Sequence, residues 1–236
     1  MNLVEATKIT NQNIMYLVYG QPGTGKTTIA KSLPGKTLVV ALDGSDNVLQ
    51  GAKGITSLEL DAKDVEFIIQ QFPVILSTIE TKYLDKYDNI VFDNLSHLQD
   101  MVMNQLRDMV KDQRQAWGEM QNLIKKWVSK IRSWNKRVYA TAWEEVKDYT
   151  DDDGNAVTTF DALMNAKVRS SVEGLFAVVG RAFVYKGEHL VQLEQGRGAQ
   201  AKNQIDERRF SKASELFTDK EYKPQTESEE GKTNED

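Results

Sequence analysis

Gly20, Gly25, Lys26 and Thr27 stand in the pattern Gly-x4-Gly-Lys-Thr, inside the stretch "GQPGTGKTTIA" that runs from Gly20 to Ala30. Residue types at this spacing bind phosphate. Glycines let the backbone curl until several N–H groups point inward as an anion nest. A lysine at the seventh position sets a point charge on the β- and γ-phosphates, and the next hydroxyl ligates Mg²⁺. The candidate cradle is Gly20, Gln21, Pro22, Gly23, Thr24, Gly25, Lys26, Thr27 and Thr28. ATP and Mg²⁺ are the cofactors it implies. "NIVFD" supplies a second element of the same chemistry: four mostly apolar residues lead to Asp93, an acid placed to share the Mg²⁺ shell with Thr27. Asn94 follows, where many AAA+ ATPases carry a catalytic Glu. An amide takes no proton, so either another acid is the base or the water is merely oriented.

The elements that must position these groups are legible from hydropathy. "IMYLVY" (14–19) is a short apolar run ending at the glycine loop and reads as a strand buried on both faces. A helix follows from Lys26 to Leu33, closed by Pro34–Gly35. Further strands are expected at "TLVVALD" (37–43), "GITSLEL" (54–60), "NIVFD" (89–93) and "RVYATA" (137–142). Helical segments are expected at 61–83, broken or kinked at Pro73, and at 95–134 as two helices. Two strands around a Lys186–Gly187 turn (176–195) and a last helix (206–217) complete the pattern. This alternation defines an α/β fold: a mostly parallel sheet flanked by helices, with an antiparallel hairpin near the C-terminus. Ligand is expected at the carboxyl ends of the parallel strands, where residues 20–28, 43 and 93 all fall.

The segments "YGQPGTGKTT", "NIVFDNLSHL", "QAWGEMQNLIKKWVSKI", "NKRVYATAWEE", "VEGLFAVVGRAFV" and "RGAQAKNQ" occur in an order that resembles phage-encoded RecA-core P-loop ATPases, the nucleotide-binding or AAA-domain group that includes the Sak-type single-strand annealing proteins. The resemblance covers about residues 14–210 and implies a RecA-like core without the helical lid of AAA+ proteins. It points to Asp43, with Asp46 nearby, as the acid that positions water; the alternative is a strand-end Asp capping a turn. It makes Thr141 and Glu144 candidate sensors of the γ-phosphate, with Glu144 a second candidate for the water. It also implies rings or filaments in which a cation of one subunit reaches the neighbour's ATP, with Arg197 and Lys202 as the candidate catalytic cations.

RecA-like proteins bind single-stranded DNA through loops after the sheet strands. Here that segment is 145–172, with Lys147, Tyr149, Lys167 and Arg169 as candidate DNA contacts. It also holds "DDDG", which would repel DNA, and a plain hairpin turning at Asp153–Gly154 is the equal alternative. Asp151, Asp153 and Asn155 have the alternate spacing of a Ca²⁺ loop, but Ala156 and Ala162 occupy positions that an EF-hand fills with Gly and Glu. Trp117, Met120, Ile124, Trp127, Ile131 and Trp134 recur at helical spacing and read as core.

The 236 residues, 40% of them hydrophobic, suffice for one α/β domain, expected over 1–217. With no cysteine, thiolate metal sites are excluded, and with only His97 and His189 as histidines, far apart in sequence, a zinc enzyme is not expected. No apolar run is long enough to span a bilayer. The stretch 218–236 carries seven acidic and three basic residues and reads as an acidic, disordered tail. The expectation is therefore a cytoplasmic homo-oligomeric ATPase acting on single-stranded DNA, with a single-strand DNA-binding protein as a further partner. A helicase-loading or assembly ATPase and a P-loop small-molecule kinase are the alternatives.

Overall fold

The computed structural model describes residues 13–218, and the acidic stretch from residue 219 lies outside them. The strands in chain order are β1 (Met15–Gly20), β2 (Thr37–Ala41), β3 (Ile55–Glu59), β4 (Asn89–Asp93), β5 (Arg137–Thr150), β6 (Ala156–Ala162), β7 (Val178–Tyr185), β8 (Glu188–Gln192), β9 (Lys202–Asn203) and β10 (Phe210–Lys212). The helices are α1 (Lys26–Ile29), α2 (Ala62–Glu66), α3 (Ile68–Thr78), α4 (Leu95–Met109), α5 (Gln113–Arg132) and α6 (Ala166–Leu175).

The sheet order is β10-β8-β7-β1-β5-β4-β2-β3, with β6 paired to β5 and β9 to β7. The six strands from β7 to β3 run parallel. The pairs β7–β8, β8–β10, β7–β9 and β5–β6 are antiparallel. The α/β class, the parallel core and the late antiparallel hairpin are thus as expected.

Strand periodicity explains the layering. Along β1, Met15, Leu17 and Tyr19 enter one apolar cluster while Tyr16 and Val18 enter the other. β4 divides in the same way, with Ile90 and Phe92 on one face and Val91 on the other. Strands buried on both faces read as continuous apolar runs, which is why the sequence announced them. The larger cluster lies under α3 to α6, and Met120, Ile124, Trp127, Ile131 and Trp134 are buried in it. Trp117 alone of that stripe is 36% exposed. The smaller cluster packs Ile29, Leu33, Ala213, Leu216 and Phe217 against the other face.

Three expected elements take other forms. The helical stretch from Asp61 divides at Phe67, and α3 runs on through Pro73. Asp61 and Asp64 form a capping box that starts the first piece, and that short helix ends at Phe67, before the proline. The strand expected to end at Ala142 continues to Thr150 and turns back as β6, a two-stranded ribbon in which Glu144 faces Ala162. The helix expected at 206–217 is instead the short strand β10 followed by one 3₁₀ turn, Ala213–Glu215. Tertiary context overrides helix propensity there: β10 pairs with β8 and covers its open edge, and the Leu193 N–H bonds the Arg209 carbonyl at 2.9 Å.

Candidate nucleotide site

The loop after β1 wraps a cavity of about 460 Å³ at the carboxyl ends of the parallel strands. Across it from the loop stand Asp43, Ser45, Asp93, Asn94, Trp143 and His189. Backbone conformation requires the glycines. Gly25 adopts φ of 87° at the start of α1, a left-handed geometry that other residues adopt only with strain. A Cβ on Gly20 would lie 2.5 Å from the Ala182 carbonyl oxygen, because β7 passes against the loop.

Lys26 is buried, and its Nζ donates to the carbonyls of Gly20 at 2.8 Å and Gln21 at 3.0 Å. Burial lowers its pKa, opposed by the carboxylates of Asp93, Glu144 and Asp43. A phosphate entering the loop would supply the anionic acceptors that two neutral carbonyls replace only in part. The helix is held from below by Tyr139, a wholly buried phenol whose OH donates to the Lys26 carbonyl at 2.7 Å.

Asp93 is the centre of a hydroxyl cluster. Its Oδ2 accepts from Thr27 at 2.6 Å and from Ser45 at 3.1 Å, and its Oδ1 accepts from Thr141. Burial raises the Asp93 pKa, and the bonds from Thr141 and Thr27 pull it back. The donor set, one carboxylate with hydroxyls, is all oxygen and fits a hard cation such as Mg²⁺. No group of three or more His, Cys, Asp or Glu side chains that could hold a metal occurs among the described residues. The protein would therefore offer Thr27 and Asp93, and phosphate oxygens and water would complete the shell. Bound there, Mg²⁺ would neutralise charge on the transferred phosphoryl group.

Asp43 lines the same cavity. Its carboxylate accepts the Ser45 N–H at 3.0 Å and the Asn94 side-chain amide. Asn94 in turn caps α4, its Oδ1 accepting the His97 N–H at 2.7 Å. The amide after Asp93 thus holds the acid and starts the helix. Asp46 lines a separate surface depression with Ser57 and Glu59.

Other expected site residues lie elsewhere. Thr141 is fully buried, and its contact is Asp93 itself rather than the cavity. Glu144 is buried and bound to Arg181 Nε at 2.7 Å; the Arg181 guanidinium lies 3.4 Å from the Phe160 ring centroid. It does not line the phosphate cavity. Arg197 sits exposed in the turn after β8, over the Phe210 ring at 5.7 Å. Lys202 donates to the Glu173 carbonyl at 2.8 Å, beside α6. The candidate DNA contacts do not form one loop. Lys147 and Tyr149 stand on the ribbon, and Lys167 and Arg169 on α6. Lys147 pairs with Glu145 at 2.8 Å, and Arg169 pairs with Glu145 and Asp161 at 3.4 and 3.3 Å.

Ser45, Tyr139, Trp143 and His189 are site residues that sequence reasoning did not identify. Ser45 carried a weak signal, two residues past a strand-end acid. His189 carried none: its Nδ1 meets the Thr24 carbonyl at 3.0 Å across 165 residues of chain.

Fold and site together define a P-loop nucleoside triphosphatase with an α/β core. The profile of an AAA domain family matches residues 12–205, and the chain belongs to that family. No curated protein sequence matches the chain. Among solved structures, it is similar to a KaiC-like protein from Pyrococcus horikoshii (14% identity, TM-score 0.43, covering 77% of this chain and 78% of that one). It is also similar to the flagellar accessory protein FlaH from Methanocaldococcus jannaschii (12% identity, TM-score 0.43, 84% of each chain).

Proposed function

We propose that the protein binds Mg²⁺–ATP in the loop cavity, hydrolyses it, and uses the cycle to change its grip on single-stranded DNA in phage recombination or replication. The observation that supports the ATPase part is the convergence of Lys26, Thr27, Asp93 and Asp43 on one cavity from three separate strand ends. Lys26 and the glycine loop hold the phosphates. Thr27 and Asp93 hold the cation. Asp43, fixed by two donors, orients the attacking water and accepts its proton. Thr141 and Ser45 keep the Asp93 carboxylate in place. Assembly into a ring or filament would bring Arg197, at an exposed turn, to the neighbour's triphosphate; Lys202 is occupied by the Glu173 carbonyl.

The DNA part rests on the resemblance in segment order. Its test is ATP turnover and binding with and without single-stranded DNA: stimulation is expected, and no DNA affinity in any nucleotide state overturns it. Lys26→Ala is expected to abolish ATP turnover, and full activity in that variant would refute the site. One observation favours a second reading, an assembly or helicase-loading ATPase. Residues 144–162, which form the ribbon, contain Glu144, Glu145, Asp148, Asp151, Asp152, Asp153 and Asp161 against the single base Lys147. Val146 and Tyr149 are exposed on that acidic ribbon. Such a surface fits a basic protein partner better than a polyanion. Capture of a replicative helicase without DNA affinity would establish it.

A further inference from the structure

Two cavities meet at the phosphate loop. The second, of about 490 Å³, is walled by Ile29 and Lys31 from the loop helix and its extension, Glu188 from β8, and Lys212, Ala213 and Ser214 after it. It shares Gly25, Thr28 and His189 with the phosphate cavity. Its chemistry differs. The phosphate cavity presents Lys26, two carboxylates and hydroxyls. The second presents Ile29, Ala213 and aliphatic stems, and the Lys212 ammonium is bound to Glu188 at 2.8 Å. A concave, largely apolar site of this size suits a planar organic group.

His189 stands where the two spaces join. Its Nδ1 is 3.0 Å from the Thr24 carbonyl oxygen, which can only accept. Nδ1 therefore donates its N–H to that carbonyl, and in this tautomer Nε2 is the acceptor. An acceptor suits a sugar hydroxyl and repels a phosphate oxygen. The ring also packs on the loop: a Cβ on Gly25 would lie 3.2 Å from Nδ1.

We propose that this second cavity takes the nucleoside of the triphosphate, with His189 Nε2 accepting a hydrogen bond from a ribose hydroxyl. The proposal rests on the ATP reading above and adds where the nucleoside goes and which side chain reads its sugar. The strand β8 then has a function beyond pairing in the sheet: it carries the group that separates a nucleotide from a bare polyphosphate.

The test is equilibrium binding of ATP, 2′,3′-dideoxy-ATP and inorganic tripolyphosphate by the full chain and two variants. Ser214→Trp fills the mouth of the cavity from an exposed position. His189→Asn keeps an N–H near the Nδ1 position and removes Nε2. Ser214→Trp is expected to weaken ATP by about tenfold or more while leaving tripolyphosphate within about twofold, as steric exclusion of the nucleoside alone requires. Wild-type protein is expected to prefer ATP over the dideoxy analogue by about three- to tenfold, the worth of one hydrogen bond, and His189→Asn is expected to erase that preference. Retained tripolyphosphate binding shows that each variant is folded. ATP affinity unchanged in Ser214→Trp, or a sugar preference that survives in His189→Asn, overturns the proposal. Wild-type protein that binds neither ATP nor tripolyphosphate overturns the nucleotide reading itself, a distinct result.

Discussion

At the scale of single residues, the site separates holding from activating. Asp93 is surrounded by three hydroxyl donors, Thr27, Ser45 and Thr141, whose hydrogen bonds to the carboxylate oppose the upward pull of burial on its pKa. Asp43 has two donors and lines the cavity, and in the proposed mechanism it is the acid that meets water. Asp43→Asn is therefore expected to lower kcat by about 10²-fold or more, the usual contribution of a general base, with ATP affinity little changed. Single-turnover hydrolysis beside a binding titration checks it; an equal loss in both measurements would mean that Asp43 only supports the loop. Asp93 and the phosphate loop were legible from residue type and spacing. Ser45 and His189 were not, because each contributes one polar atom brought in by a turn or by a strand distant in sequence.

At the scale of elements, close approaches decide what each segment tolerates. β1 and β7 run so near that Gly20 faces Ala182 with no room for a side chain. Gly20→Ala is expected to cost about 1–3 kcal/mol in urea unfolding, the typical penalty of overpacking, because backbone rather than a flexible side chain must move. α6 packs beside the ribbon in a less settled way. Glu173 lies near Asp161, Arg169 and Lys202, its Oε1 is buried without a hydrogen-bond partner, and burial raises its pKa from 4.5 to about 7. The sign follows from proton counts. Between pH 4.5 and about 7 the folded protein holds a proton that the unfolded chain has released, so this group's stabilisation is full below 4.5 and is lost as pH rises through about 7. Glu173→Gln is expected to raise Tm relative to wild type at pH 8 and to differ little at pH 5. Parallel melting curves at the two pH values read this directly, and an unchanged difference at both would show that the carboxyl is solvated.

At the scale of the whole molecule, two ribbons rise past the end of β1. β5 pairs with β1 up to Trp143 and then continues to Thr150 with β6; β7 pairs with β1 up to Ala182 and then continues to Tyr185 with β8. The nucleotide cavity lies at their base, so anything docked on the ribbons would sit close to the triphosphate. If Arg197 completes a neighbour's site, two inactive variants should rescue each other. Lys26→Ala and Arg197→Ala proteins, each inactive alone, are expected to recover part of the ATPase activity when mixed, because mixed assemblies contain one intact composite site. Absence of recovery, with ATP-dependent assembly confirmed by light scattering, would place Arg197 outside the chemistry.

The sequence by itself determined the phosphate chemistry, the acid at the end of β4, the α/β class and the core faces of the strands and of α5. These are local: a motif within a dozen residues, or an apolar period set by backbone geometry. Only the tertiary structure decided that 206–217 is an edge strand and turn, since the open edge of β8 outweighs local helix preference. It alone showed that Glu144 turns to Arg181, that Lys147 and Arg169 are paired with acids of the ribbon, and that His189 reaches the loop. Each of these depends on which distant groups share a neighbourhood. Spacing along the chain does not encode that; sheet order does.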